Sequence, residues 1–481
     1  MTKEGVTGAA ATAPPMPSPP PTHAGPATAT DRPDFRFVRT LPAEEHLRIA
    51  LEYAEHVQNG GGPPVREEIR EALRGKVSQD LPEAQRALLE ACLLCNADVF
   101  ALANTDLGVT DWGELQLTLK PGTKPIAIPP YRMSQKEQAA MYPEIEKMLK
   151  DGVIERSTSP WSAPLLMVPK PHVEGQPQSW RVVTDFRRLN EALVNEQWPM
   201  PHIEDMVNEI VPVPPQQHVM ACFDARQGFW QLPLAEACRE YTAFSVPGTG
   251  FGRGGHFAYR RAAMGLKTSP AAFCRTMHAV LRPVLGRGVC YYVDDLALAA
   301  TSVEELAERM NEMFALLRIA NVKLSAGKFQ CGTYYLTFLG HEVCGRTGQI
   351  RPAQTHLVNI ARYTNLRTVR QVRAFLGVCS FLRRHIERHA ERARPLTRLT
   401  SPRVKWQWGP EEQAAFDDLK QAVMTAPALR KADPSKPYHL YVDFAKYCVA
   451  ACLMQRDDTT EWVISYASRT LPPAAASWAS I

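Results

Sequence analysis

Two adjacent carboxylates, Asp294 and Asp295, interrupt the run Tyr291-Tyr292-Val293-Asp294-Asp295-Leu296-Ala297-Leu298-Ala299. A short apolar run of this kind reads as a buried strand, and a core does not accept unpaired charges. The interruption therefore predicts a β-hairpin whose turn carries both acids into a polar site. Neighbouring carboxylates repel, so both stay ionised only beside cations or basic groups. Taken alone, an Asp-Asp pair is more often a solvated turn. A second strand shifts the balance: in His218-Val-Met-Ala-Cys-Phe-Asp224-Ala-Arg-Gln-Gly-Phe229 an apolar stretch ends in an acid and is followed by a turn glycine. Three carboxylates at strand ends can hold two divalent metals about 3.5–4 Å apart, clamping the attacking and leaving oxygens of an in-line phosphoryl transfer. Mg²⁺ suits such a set because it takes oxygen ligands and keeps water or substrate phosphate in its shell; Mn²⁺ is the alternative ion.

Further boxes accompany these acids: Trp180-Arg-Val-Val-Thr-Asp-Phe-Arg-Arg-Leu-Asn190, Met264-Gly-Leu-Lys-Thr-Ser-Pro-Ala-Ala-Phe273 and Phe338-Leu-Gly-His-Glu-Val343. In order and spacing, the five boxes resemble the motifs of reverse transcriptases of gypsy-type long-terminal-repeat retrotransposons. The resemblance runs from about residue 96 to the C-terminus. It implies an α+β right-hand polymerase with fingers, palm and thumb, which adds dNTPs to a primer 3′ end on an RNA or DNA template with two Mg²⁺ ions. Asp224, Asp294 and Asp295 would be the metal-binding catalytic triad. Lys170 and Arg181 would face the incoming triphosphate, a basic pair opposite the developing charge. Phe229 would be an aromatic gate under the sugar that excludes a 2′-hydroxyl. Met264 and Gly265 would lie near the nucleotide, and Phe338 and Gly340 would form the primer grip. This chain departs from the family at Ala262-Ala-Met-Gly265, where a Met-Pro-Phe-Gly-like box is usual, and at the gate, which is more often Tyr. Neither departure removes a charge that the chemistry needs.

Tyr438-His-Leu-Tyr-Val-Asp443-Phe-Ala and Ser465-Tyr-Ala-Ser-Arg-Thr-Leu are similar to strands of the RNase H domain that follows these polymerases. Asp443 matches its first catalytic acid, and the sequence stops at Ile481 before the partners that a two-metal nuclease needs. The expectation is a partial, inactive RNase H-like α/β domain with a vestigial Asp443 and an unpaired sheet edge. The rival to a working polymerase is a catalytically dead or domesticated nucleic-acid-binding remnant. A nuclease acting through Asp443 is the weaker rival.

The elements that must position these residues follow from composition and periodicity. The 481 residues are too many for one core, so about two to four domains are expected. A 45% hydrophobic and 22% charged composition is that of a soluble globular protein, and the net charge of +5 permits nucleic-acid binding. Eleven scattered cysteines suggest a reducing compartment, and Cys92 and Cys95 read as helix packing. No run approaches the roughly 20 apolar residues of a membrane span. The reading is an intracellular protein, cytoplasmic or nuclear, with no membrane partner and no oligomeric state legible.

The expected organisation is a disordered Ala/Pro-rich tail (1–34), a helical and extended lead-in (35–128), fingers and palm (129–345), thumb and connection (346–408) and the RNase H-like part (409–481). Ser134 with Glu137, and Ser302 with Glu305, offer capping boxes. Leu306, Met310, Met313, Phe314 and Leu317 fall on one helical face, a core stripe rather than a cofactor contact. His385 and His389, four apart among Arg383, Arg384 and Arg388, read as a basic helical face against a nucleic-acid backbone. Gly250–Gly255 reads as a hairpin loop, Asp457 and Asp458 as turn residues, and residues 437–481 as three strands. No Asp-Ser/Thr-Gly protease motif and no zinc-knuckle cluster is present.

Overall fold

The structure is a computed structural model that describes residues 33–102, 107–170, 178–248, 254–445, 447–458 and 460–472. The expected tail and most of the Gly250–Gly255 loop lie outside the described residues. Among the described residues no helix is long and apolar enough to cross a membrane.

The lead-in supplies helices α1 (Ala43–His56), α2 (Glu67–Leu73) and α3 (Glu83–Cys95) and the short strand β1 (Phe100–Ala101). Pro42 and Pro82 precede α1 and α3, and Glu44, Glu45 and Glu83 place negative charge at the positive helix ends. Leu89, Cys92 and Leu93 turn inward, whereas Cys95 is exposed and does not pack as expected. Next come the fingers. Helix α4 (Gln135–Lys150) starts at the expected Ser134/Glu137 capping box. After it come β2 (Ile154–Arg156), β3 (Leu165–Pro169), β4 (Trp180–Thr184) and α5 (Arg187–Ala192), and then α6 (Ile203–Ile210), which packs on the palm.

The palm strands then follow: β5 (Val219–Ala225), the fingers pair β6 (Phe244–Val246) and β7 (Gly255–Tyr259), helix α7 (Ser269–Leu281), β8 (Val289–Tyr292), β9 (Asp295–Ala300), helix α8 (Val303–Ile319) and β10 (Leu324–Thr333). The palm sheet runs β1-β10-β5-β9-β8. Its central strands are almost continuously apolar because both faces are covered. Val219, Ala221, Phe223, Leu296, Leu298 and Ala300 face a core shared with α7 and α8. Met220, Ala297 and Ala299 face a second core with Val207 and Ile210 of α6. The stripe Leu306, Met310, Met313, Phe314 and Leu317 is 0% exposed at every position, as its periodicity requires. Residues of α1, α3 and β1 belong to the same cluster, so the lead-in is part of the palm's core. One buried ion pair seals it: Arg318 Nε meets Asp98 Oδ2 at 2.7 Å, and Arg318 Nη2 also donates to Asn96 Oδ1 at 2.8 Å.

Past the palm, β11 (Tyr335–Phe338), β12 (His341–Cys344) and β13 (Gln349–Pro352) form a meander. The thumb helices are α9 (Gln354–Ala361), α10 (Val369–Phe381), α11 (His389–Arg392), α12 (Arg394–Leu399) and α13 (Pro410–Met424). Helix α13 starts at the expected RNase H boundary, yet Phe416, Leu419 and Val423 pack into the thumb cluster with Phe375. Strand β14 (Leu429–Arg430) returns to pair with β13. The last sheet is β15 (His439–Ala445), β16 (Cys448–Arg456) and β17 (Glu461–Thr470), in that order, matching the three expected strands. Among the described residues β15 pairs only with β16, so it is the expected open edge.

The basic histidine face is corrected. His385 closes a 3-10 turn, is 2% exposed, and stacks on His341 with ring centroids 5.8 Å apart. Arg388 adopts φ 54°, which breaks the helix that the i, i+4 spacing assumed. Burial pushes His385 down to about 4, and it pushes His46 on the inner face of α1 down to about 4, with Arg282 adding to the effect there. A histidine held below its unfolded value contributes stability that is complete above about pH 6.5 and is lost as the pH falls through about 4. His46 is fully buried, lies against Trp112 with tilted rings 5.0 Å apart, and has no hydrogen-bond partner for either ring nitrogen among the described residues. His46→Phe is expected to flatten the acid side of a Tm-versus-pH curve by a few degrees. An unchanged acid limb would show that this histidine does not set it.

Candidate active site

The carboxylate hairpin has the form that its sequence suggests. Strands β8 and β9 are antiparallel with Tyr292 opposite Asp295, which leaves Val293 and Asp294 as the two-residue turn. Val293 accepts φ 54°, a left-handed conformation that a β-branched residue rarely adopts. Such a turn persists where its surroundings over-determine it, and here the Ala225 N–H donates to the Asp294 carbonyl at 2.7 Å. Next door, β5 pairs with β9 so that Asp224 stands directly opposite Asp295. Strand alternation puts both on the face shared with Met220, Ala297 and Ala299, at the end where that face meets solvent. Asp295 and Asp224 are half-buried, and Asp294 is exposed.

Among the described residues none of the three makes an ion pair or a side-chain hydrogen bond, and the electrostatics register this. Burial, followed by repulsion from Asp294 and then Asp224, raises Asp295 to about 6. Asp224 is raised by burial and by Asp294, against a smaller opposing pull from Lys328 and Arg226. As the side chains are placed, no group of three or more His, Cys, Asp or Glu among the described residues is gathered closely enough to be a finished metal cage. The donor set nevertheless fits a hard divalent cation. It is all oxygen, it is negative, it lies at adjoining strand ends, and among the described residues no ion pair neutralises it.

Beyond Asp224 the chain turns sharply. Gln227 sits at φ 48° in the left-handed region. Gly228 is closely packed: a Cβ would lie 3.0 Å from the Phe273 ring and 3.4 Å from the Asp294 Cβ. Phe229 is half-buried, edge-on to Phe273 with ring centroids 5.9 Å apart, so the expected gate stands beside the hairpin turn.

Lys170 and Arg181 lie on the β3–β4 ribbon, both exposed. Val168 pairs with Arg181 and the Lys170 N–H donates to the Ser179 carbonyl at 2.9 Å, so alternation places both cations on one solvent-facing side. Among the described residues no ion pair or hydrogen bond joins them to the carboxylates. Met264, at 36% exposure, and Gly265, at φ 92°, form a turn locked by a residue that motif reading did not single out. The Asn190 Nδ2 donates to the Gly265 carbonyl at 2.7 Å, while its Oδ1 accepts from the Lys267 N–H at 2.9 Å.

Phe338 is 2% exposed within the second core, so it anchors its hairpin from below rather than presenting a surface. The tip is Leu339-Gly340, with φ 46° and 77°, the pair of positive values that a two-residue hairpin requires. At Gly340 a Cβ would stand 2.5 Å from His356 Nε2. Asp443 is far from this centre in the fold: it lies on β15, exposed and ion-paired with Arg388.

Comparison with known proteins bears on the fold and the family. Residues 168–343 match the family described as reverse transcriptase (RNA-dependent DNA polymerase), and residues 408–481 match the RNase H-like domain found in reverse transcriptase. The chain is 29% identical over 398 residues to the retrovirus-related Pol polyprotein from transposon 412 of Drosophila melanogaster, which covers 82% of this chain and 31% of that protein. The corresponding polyprotein from transposon 297 is 30% identical over 72% of this chain and 31% of its own length. The chain thus spans about a third of the length of these relatives. Among solved structures, the dRH form of the foamy viral protease-reverse transcriptase in complex with double-stranded DNA superposes with a TM-score of 0.71 at 22% identity, covering 85% of this chain and 68% of the other. A right-hand polymerase fold, a carboxylate hairpin facing a third acid, and two successive family matches lead to one assignment: this chain carries a reverse transcriptase domain followed by an RNase H-like domain, and it is similar to part of the Pol polyproteins of these Drosophila transposons.

Proposed function

We propose that the chain is an RNA-directed DNA polymerase that adds dNTPs to a primer 3′ end at the Asp224/Asp294/Asp295 site. The observation that carries this reading is the placement of Asp224 opposite Asp295 on one sheet face, beside Asp294, with no ion pair to any of the three among the described residues. These three side chains would hold Mg²⁺, and Mn²⁺ as a substitute; when bound, the metals supply charge neutralisation at the entering and leaving oxygens. The protein's own share is orientation. Lys170 and Arg181 present positive charge on the fingers ribbon to the triphosphate. Phe229 stands where a 2′-hydroxyl would clash, the Met264-Gly265 turn fixed by Asn190 borders the base, and the Leu339-Gly340 tip supports the primer end. RNA or DNA template and primer are the partners. Asp443 would be no working nuclease acid while Arg388 occupies it.

Primer extension on an RNA template with Mg²⁺, and again with Mn²⁺, tests the reading beside the double variant Asp294→Asn, Asp295→Asn. Extension is expected from the parent and none from the variant. A folded parent that extends nothing under either metal would instead support a nucleic-acid-binding remnant.

A further inference from the structure

We infer that Gln231 is a positioning residue for nucleotide selection, holding the Phe229 turn at a fixed height beside Asp224; the inference rests on the reading of Phe229 as a sugar gate. Gln231 is 0% exposed, although it lies in an otherwise apolar stretch, Phe229-Trp230-Gln231-Leu232-Pro233-Leu234. Its amide is used on both sides. Nε2 donates to the Arg226 carbonyl at 2.7 Å and to the Lys323 carbonyl at 2.8 Å, and Oε1 accepts from the Lys323 N–H at 2.6 Å. The Arg226 N–H donates to the same Lys323 carbonyl at 2.9 Å. One side chain therefore staples the first residues of the turn to the start of β10.

This staple lies where the chain needs one. The turn from Arg226 to Trp230 contains Gln227 in a left-handed conformation and Gly228 packed against Phe273 and the Asp294 side chain. A turn strained in this way relaxes unless its surroundings hold it. Gln231 supplies that hold from within the core, where unmade hydrogen bonds are costly. The staple is in turn tied to the lead-in, because Lys323 Nζ donates to the Asp98 carbonyl at 2.5 Å and the Thr110 N–H donates to the Gln231 carbonyl at 2.9 Å. Gln231 is closed off from solvent and so from a bound nucleotide. Its effect reaches the nucleotide through the position of Phe229, and misplacement by about 1 Å is enough to change rates by about 10²-fold.

The test uses the full chain with Gln231→Leu, which keeps the volume and removes every bond, and Gln231→Glu, which keeps the acceptor for the Lys323 N–H and loses the amide donors. Phe229→Ala runs beside them. Three quantities are measured: single-nucleotide incorporation with a dNTP and the matching NTP, primer–template affinity by fluorescence anisotropy, and hydrogen exchange of the Arg226 and Lys323 amides. Gln231→Leu is expected to raise the KM for dNTP and the NTP:dNTP ratio by about 10-fold each, with primer–template affinity unchanged and both amides exchanging faster. Gln231→Glu should fall between Leu and the parent, and it decides the matter if the Leu variant does not fold. If Phe229→Ala changes the ratio while the folded Gln231 variants do not, the positioning role is overturned and the gate survives. If Phe229→Ala leaves the ratio unchanged, the gate reading itself falls and takes this inference with it. Slow exchange retained at both amides in Gln231→Leu would overturn the staple whatever the activity.

Discussion

Asp295→Asn should melt higher than the parent protein in EDTA and extend no primer. Its folded-state value is raised from 3.8 to about 6 by burial and by two neighbouring carboxylates. An acid whose folded value lies above its unfolded value favours the fold fully below about pH 4 and loses that contribution as the pH rises through about 6. At pH 7 the ionised, half-buried Asp295 is therefore a liability. Asn has the same shape and never ionises. After discounting for the part of the group that remains in solvent, the gain is on the order of 1–2 kcal/mol, or a few degrees in Tm. Millimolar Mg²⁺ should raise the Tm of the parent and leave the variant nearly unmoved, since a ligand stabilises only the state that binds it. Melting curves with and without Mg²⁺ separate the two effects. A variant that melts lower in EDTA would show that Asp295 is held by partners rather than strained by repulsion.

Asp98→Ala should cost about 3–5 kcal/mol, because it leaves the Arg318 guanidinium buried without its carboxylate. The two side chains are 8% and 4% exposed, and the pair joins the lead-in to α8 in the centre of the palm. Arg318→Met alone should be similarly damaging, since it strands the Asp98 charge. Replacing both at once, Asp98→Leu with Arg318→Met, should recover most of the loss, because a buried pair often exchanges for apolar residues of similar volume at little net cost. Urea denaturation of the parent, both single variants and the double variant provides the cycle. Equal and additive losses in the single and double variants would mean that the two groups are not coupled.

The residues that could be read from sequence are those whose signals are local. The Tyr292–Asp295 hairpin announces itself because two charges interrupt an apolar run, and the core stripe of α8 because it repeats at helical spacing. Ser134 and Glu137 are three apart and form their box as written. What could not be read depends on partners distant in the chain. Arg318 and Asp98 are separated by 220 residues, and nothing in either neighbourhood names the other. Gln231 offers a weak signal, a lone amide in an apolar stretch, but its worth lies in the Lys323 backbone, 92 residues away. Asn190 lies inside a recognised box, yet its hold on Gly265 is a contact across 75 residues. The misreading of His385 and His389 has a different origin. The spacing assumed a continuous helix, and Arg388 enters the left-handed region without the glycine that would have signalled a break.

The packing of β1, α1 and α3 bears on how this protein can be divided. The match to the reverse transcriptase family covers residues 168–343, but the palm sheet's outer strand is Phe100–Ala101 and the partner of Arg318 is Asp98. A protein started at residue 168 would lose the cover of α8 and strand a buried cation. The unit that folds is therefore larger than residues 168–343, and a recombination event that moved only that part would transfer the chemistry without the scaffold that holds it.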